Sequence, residues 1–307
     1  MLSKTVKDKF ILIIKGFCMG AADVVPGVSG GTMALVLGIY TRLINAIKSF
    51  DVAWLRSIPR LDRKIIFGRP DFTFIVPLIT GIVLALIFFT RIISLPGLIE
   101  TNPVPVYSLF SGLIIGSICV LVYKVHPDFK SGAVFLVAGT ITGYYVFNLV
   151  PVNTPETALF IFLCGAISIT AMMLPGISGS FILLILKKYS YIFHALGHLQ
   201  FSILLPFLLG IVCGLALFSR LLAWLLRNFY QKTIFFICGL LAASMTVVWP
   251  FQERTFVQVN GKNQLLSSEP YFPELLDRST AIALILLLVG ILVVILINFH
   301  AKESEPA

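Results

Sequence analysis

The chain carries two copies of one pattern. PGVSGGTMALVLGIYTRLINAI (residues 26–47) aligns without gaps to PGISGSFILLILKKYSYIFHAL (175–196). VPLITGIVLALIFFTRII (76–93) then matches LPFLLGIVCGLALFSRLL (205–222), placing Pro77, Gly81 and Arg91 on Pro206, Gly210 and Arg220. FSGLIIGS (110–117) roughly matches ICGLLAAS (237–244), and the last apolar runs, 131–150 and 279–299, correspond by position alone. The basic linker 48–71 has no counterpart in the second half. Self-similarity at this scale commits the two halves to the same local structure.

That structure lies in a bilayer. The 307 residues are 58% hydrophobic and 12% charged, and several apolar runs approach the roughly 20 residues that cross a membrane. Such a background leaves no room for a soluble domain between the runs. The net charge of +9 is the bias of Lys and Arg toward cytoplasmic loops, and nucleic acid is not implied as a partner. The first residues resemble a signal peptide, but Lys15 interrupts the apolar stretch, and the segment has a later partner in the repeat, so it belongs to the fold. The five cysteines lie in apolar segments without metal-ligand spacing and read as small packing residues.

Each half opens on a broken segment. A helix over 9–22 would be about 21 Å long, short of the ~30 Å hydrocarbon core, and 30–47 is similarly short. Pro26 and Gly27, like Pro175 and Gly176, stop the first arm and permit a reversal. Two short helices joined at membrane depth make a re-entrant hairpin whose ends share a side. Charge agrees: Lys4, Lys7 and Lys9 precede the first hairpin, and Lys48, Arg56, Arg60, Arg63, Lys64 and Arg69 follow it, so both ends are cytoplasmic. Three spans later PVNTPET (151–157), without Lys or Arg, falls outside, and the second hairpin enters from there.

The expected fold is therefore an all-α integral membrane protein of two inverted repeats, each a re-entrant helical hairpin plus three transmembrane helices. The first repeat is 1–150, with hairpin 9–47, linker 48–71 and spans near 72–94, 104–124 and 131–150. The second is 151–307, with hairpin 158–197 and spans near 203–226, 233–250 and 279–299. Loop 251–277 falls outside and both termini inside. Inverted repeats with interrupted helices point to a transport site at their interface.

A break at membrane depth is costly unless its backbone lines a cavity or is buried in protein. Ser29 and Ser178 are placed to N-cap the second arms, Thr32 adds a hydroxyl, and the N–H groups around Gly30, Gly31, Gly179 and Ser180 form an anion nest. A single phosphate or carboxylate head suits two opposed tips; the alternative is a pair of hairpin turns with small residues for close packing. The glycines at 30 and 179 would let the backbone approach the head. Arg91, Lys187 and Lys188 fall at the outer side, Arg42 and Arg220 at the inner side, as headgroup contacts or as residues reaching for the interface. Asp23, inside an apolar segment, either carries a coupling proton or cation such as sodium, or fixes the tip by pairing with an arginine.

Enzyme chemistry finds no footing: His126, His194, His198 and His300 read as loop or interface positions, and no HExxH, Walker A or paired-carboxylate motif is present, so neither cofactor nor metal is expected. The residues alone leave open a transporter or channel for a small inorganic or organic anion.

ADVVPGVSGGTMALVLGIY (22–40) and its echo LPGISGSFILLIL (174–186) resemble the prokaryotic polyprenyl-phosphate transporter family, formerly a membrane domain of unknown function, across nearly the whole chain. The resemblance implies a flippase in the cytoplasmic membrane that returns undecaprenyl phosphate from the outer to the inner leaflet for cell-wall synthesis. It places Asp23, Pro26, Gly27, Ser29, Gly30, Gly31 and Thr32 in the first motif and Pro175, Gly176, Ser178 and Gly179 in the second. The partners are this lipid and the surrounding bilayer lipids, and self-association is left open.

Overall fold

The computed structural model describes residues 4–25, 28–93, 98, 101–125, 129–149, 154–259, 262–273 and 277–302. Helices dominate, as they must where no water can satisfy the backbone. In chain order they are α1 (Lys4–Val24), α2 (Gly30–Val36), α3 (Tyr40–Lys48), α4 (Val52–Ser57), α5 (Arg63–Gly68) and α6 (Phe72–Ile87), which ends in a π turn over Phe88–Ile92. Next come α7 (Pro103–Val125), α8 (Phe129–Phe147), α9 (Ala158–Met173), α10 (Gly179–Ile185), α11 (Tyr189–Gly197), α12 (Phe201–Asn228) and α13 (Tyr230–Val248). An antiparallel ribbon, β1 (Gln252–Val259) and β2 (Lys262–Pro270), precedes α14 (Arg278–Lys302).

Among the described residues, α7, α12, α13 and α14 are long and apolar enough to cross a membrane. The sequence leads one to expect six spans; α6 and the apolar part of α8, Gly132–Phe147, are shorter, and α6 gains length from its π turn. The spans differ in burial. In α7 and α13, 50% and 56% of the apolar window is buried, against 17% and 22% in α12 and α14, which show leucine faces outward. The centre of the protein is thus α7 against α13, with the first hairpin packed beside them.

Glycine sets the helix pairing. α1 lies against α6 through Gly16 on the Leu78 carbonyl and Gly81 on that of Ile13; α9 lies against α12 through Gly165 on Phe207 and Gly210 on Phe162. The other two pairs are α7 with α14, through Gly112 and Gly290, and α8 with α13, through Gly139 and Gly239. At each of these a Cβ would overlap the facing backbone, the close approach that small residues allow where no hydrophobic effect drives helices together. Exchanging α1, α6, α7 and α8 for α9, α12, α13 and α14 reproduces the pairing. The α8 and α14 runs, matched in sequence by position alone, take equivalent places in it.

Three expectations change. The first arm begins at Lys4, not at residue 9, because an exposed turn carrying Lys7, Asp8 and Lys9 extends it. Neither second arm is one helix: each breaks again, between α2 and α3 and between α10 and α11. Both breaks are Schellman caps, with Ile39 N–H donating to the Ala34 carbonyl (2.9 Å) and Lys188 N–H to that of Leu183 (2.8 Å). The residue at the turn is left-handed in both, Gly38 at φ +69° and Lys187 at φ +51°. Glycine adopts that conformation without strain, so the chain marks the first break with a residue suited to it, whereas a lysine at the second leaves no such mark; neither break was expected. Finally, the loop 251–277 holds the β ribbon.

Candidate functional site: two hairpin tips in contact

Tip one is built by its own polar groups. Ser29 is the N-cap of α2, accepting the Thr32 N–H at 3.2 Å, and its hydroxyl lies 3.1 Å from that of Thr32. Both side chains are buried. Gly30 N–H donates to Asp23 Oδ1 at 2.6 Å, so the carboxylate of the first arm occupies the start of the second. This tip-fixing bond is to a backbone amide and not to an arginine. Pro26 and Gly27 lie outside the described residues.

Tip two crosses to tip one. Gly176, at φ +91°, donates its N–H to Thr32 Oγ1 at 2.9 Å, and the Tyr40 hydroxyl donates to the Met173 carbonyl at 2.8 Å. A Cβ on Gly31 would sit 3.2 Å from the Met172 carbonyl oxygen. Pro175 is buried behind this contact. The tips are chemically unequal. Ser178 makes no side-chain cap; its hydroxyl lies 2.7 Å from that of Ser180, with Ser178 half-buried and Ser180 exposed. Tip one has spent its hydroxyls on the Thr32 N–H, on each other and on the Gly176 N–H, whereas those of tip two pair with each other at the exposed Ser180. In tip one, Asp23 is exposed.

The glycines turn inward. A Cβ at Gly30 would meet Asp23 Oδ2 at 2.7 Å, and one at Gly179 the Ser168 carbonyl oxygen at 2.8 Å. Each lets the second arm start against its own first arm. Ser168, whose hydroxyl is buried without a hydrogen-bond partner among the described residues, is a site neighbour that the sequence gave no reason to single out.

The basic candidates are not gathered at the tips. Arg42 forks onto Asp71 through Nε (3.0 Å) and Nη2 (2.8 Å) and lies over the Phe74 ring at 4.5 Å. Burial pushes the Asp71 carboxyl up, but the Thr73 hydroxyl, Arg42 and the Phe74 N–H outweigh it and leave the group below the usual carboxylate range. Arg220 donates to the Ala216 carbonyl of its own helix and acts electrostatically on Asp51, itself held low first by its hydrogen bond from Arg69. Arg91 is exposed in the π turn. Lys187 is exposed at the α10–α11 break. Lys188 is a correction: it is 3% exposed, with Nζ on the Thr154 carbonyl at 2.8 Å and Glu156 at 3.7 Å, and so it holds the second break rather than a ligand. Lys15 does the same for the first break, donating to the Leu37 carbonyl at 2.9 Å, as the Thr154 hydroxyl does for Leu186 at 2.6 Å. Its position inside an apolar run was the one available signal.

A profile of the undecaprenyl phosphate translocase-like family matches residues 19–266, spanning both tips. The chain belongs to this family. It is 35% identical over 298 residues to the polyprenyl-phosphate transporter of Vibrio cholerae, covering 94% of this chain and 96% of that one. It is 33% identical over 263 residues to the polyprenyl-phosphate transporter of Staphylococcus aureus, covering 79% and 87%. No solved structure matches it.

Proposed function

We propose that the protein carries undecaprenyl phosphate from the outer to the inner leaflet of the cytoplasmic membrane, returning it for cell-envelope synthesis. The phosphate head passes the paired tips while the prenyl tail stays in lipid. The two repeats, 1–150 and 151–307, lie inverted in the membrane, with both hairpins re-entrant and both termini cytoplasmic. Relatives named for polyprenyl-phosphate transport support the cargo. The observation that carries the mechanism is the Gly176–Thr32 bond, which brings the two tips to one place with the Ser178 and Ser180 hydroxyls beside it.

In this reading Thr32, Ser29, Gly30, Gly179 and Gly176 hold the frame, and Ser178, Ser180 and the Gly31 edge meet the head. Arg91 and Lys187 receive the head at the outer side, and Arg42 and Arg220 release it at the inner side. Asp23 exchanges the coupling proton or sodium ion. The test is uptake of labelled undecaprenyl phosphate into proteoliposomes, with Ser178→Ala/Ser180→Ala as the variant. Loss of lipid uptake with unchanged thermal stability, and no competition by inorganic phosphate or sulfate, is the expected result. Transport of inorganic phosphate, or wild-type lipid uptake in the double variant, overturns the reading.

A further inference from the structure

Away from the tips, a cavity of about 370 Å³ opens among α8, α12 and α13, lined by Phe135, Leu225, Phe229, Lys232, Thr233 and Phe236. Its volume is in the range of small-ligand sites. The Thr233 hydroxyl is turned back onto the Phe229 carbonyl at 2.9 Å, which leaves the Lys232 ammonium as the polar group facing this apolar space. That ammonium lies 5.5 Å from the Phe135 ring centre and 5.7 Å from that of Phe229. Ring faces attract a cation without neutralising it. Lys232 has no carboxylate within ion-pair distance among the described residues.

The polarity runs along one direction. Lys232 is in the first turn of α13, five residues after Arg227 in the last turn of α12, and Phe236 lies one helical turn, about 5.4 Å, deeper on the same face. Trp224, Phe229 and Tyr230, 52%, 42% and 48% exposed, surround this end as aromatic side chains do at a membrane–water boundary. A positive charge at headgroup depth with an apolar slot leading inward matches an anionic amphiphile. Inorganic anions would find one cation and no further donor in the walls.

We propose that this pocket binds an anionic phospholipid of the adjoining leaflet, its phosphate on Lys232 and one acyl chain running inward between Phe135 and Phe236. The leaflet is the cytoplasmic one if the topology above holds. Phe236 also packs against the cluster of Ala171, Ile177 and Leu240, so a bound chain touches the packing that carries tip two.

The test uses the full chain purified in a neutral detergent. Thermal unfolding is followed while phosphatidylglycerol or phosphatidylcholine of identical acyl chains is added. A saturable rise in Tm with phosphatidylglycerol and none with phosphatidylcholine is expected. Lys232→Gln should shift the phosphatidylglycerol midpoint about tenfold or more, since one charge-assisted contact is lost, and Lys232→Arg should restore it. Equal responses to the two lipids, or an unchanged midpoint in Lys232→Gln, overturns the proposal. So does displacement of phosphatidylglycerol by undecaprenyl phosphate together with loss of undecaprenyl-phosphate binding in Lys232→Gln, which would make the pocket a station for the cargo. Binding is read without transport, so failure of the flippase reading leaves this outcome legible.

Discussion

Thr32→Val isolates the bond that joins the tips. Valine keeps the shape of threonine and removes the Oγ1 that accepts the Gly176 N–H at 2.9 Å and lies 3.1 Å from the Ser29 hydroxyl. Two magnitudes compete. Side-chain hydrogen bonds within membranes average about 0.6 kcal/mol, because the separated helices find other partners. A buried donor left unpaired costs about 1–3 kcal/mol. The second applies here, since Gly176 is buried, held at φ +91°, and its amide points at a residue that would no longer accept. A local cost of about 1.4 kcal/mol corresponds to a tenfold change in the opening equilibrium. Hydrogen–deuterium exchange of a peptide covering Ile177 and its neighbours should therefore quicken about tenfold in Thr32→Val, while Thr32→Ser, which keeps the hydroxyl, leaves it close to wild type. Unchanged exchange at tip two in the valine variant would refute the reasoning, because the contact would then be carried by packing alone.

The other expectations concern the frame, the linker, the topology and the charge. Gly179→Ala pushes a Cβ against backbone at Ser168 and should lower stability by about 1–3 kcal/mol, as overpacking does; Gly30→Ala meets only the movable end of Asp23 and should lower it less, and the reverse order in thermal unfolding would contradict the geometry. Asp51 and Asp71 are both held below their ordinary range, so their contribution is in place above about pH 4, the unfolded value, and is lost as pH falls through the lower folded value. Acid melting monitored by Trp54 fluorescence should shift in Asp51→Asn/Asp71→Asn, and an identical acid limb would count against the ion pairs. For topology, a cysteine at Leu61 (79% exposed) should be shielded from an impermeant reagent in intact cells and one at Phe272 (81% exposed) should react; Ser57, though in the same linker, is buried and would report nothing. Asp23→Asn keeps an acceptor for the Gly30 N–H, so uptake should lose its dependence on an imposed proton or sodium gradient without a fall in Tm, and retained dependence would remove Asp23 from coupling.

The helices were legible because apolar runs carry that information in the chain itself, whereas their pairing through facing glycines emerged only in the fold. Ser29 and Ser178 as N-cap positions followed from their residue type one place before a helix, but only Ser29 caps through its side chain, and the Ser178 hydroxyl turns to Ser180. The roles of charged residues were not legible. Arg42 and Lys188 look alike in sequence, each a cation beside a tip-bearing arm, yet one forks onto an exposed aspartate and the other is buried on a backbone carbonyl. What separates them is the second break of each arm, and a left-handed lysine leaves no mark at Lys187. Tyr40 aligns with Tyr189 in the repeat, so its bond to Met173 could not be told from a shared packing role until the halves were placed together.

The inequality of the tips constrains how an anion passes them. Duplication supplies two equivalent loops, but the first carries Asp23 where the second carries Met172, and the first has its hydroxyls buried and bonded within itself and to Gly176. A phosphate oxygen at tip two that came within roughly 5 Å of an ionised Asp23 would meet a repulsion of about 3 kcal/mol at an effective dielectric constant near 20. Charge-assisted hydrogen bonds are worth about 1.5–3 kcal/mol each, so one contact from the Ser178–Ser180 pair is cancelled by that single carboxylate. Passage of the head in the proposed reading therefore requires that the Asp23 charge be removed by a proton or masked by a cation while the head is present, and restored when it leaves. In the proposed reading the Gly30 N–H, 2.6 Å from Asp23 Oδ1, holds the carboxyl at the tip, and the acid, rather than the basic residues, is the element that ties lipid movement to an ion.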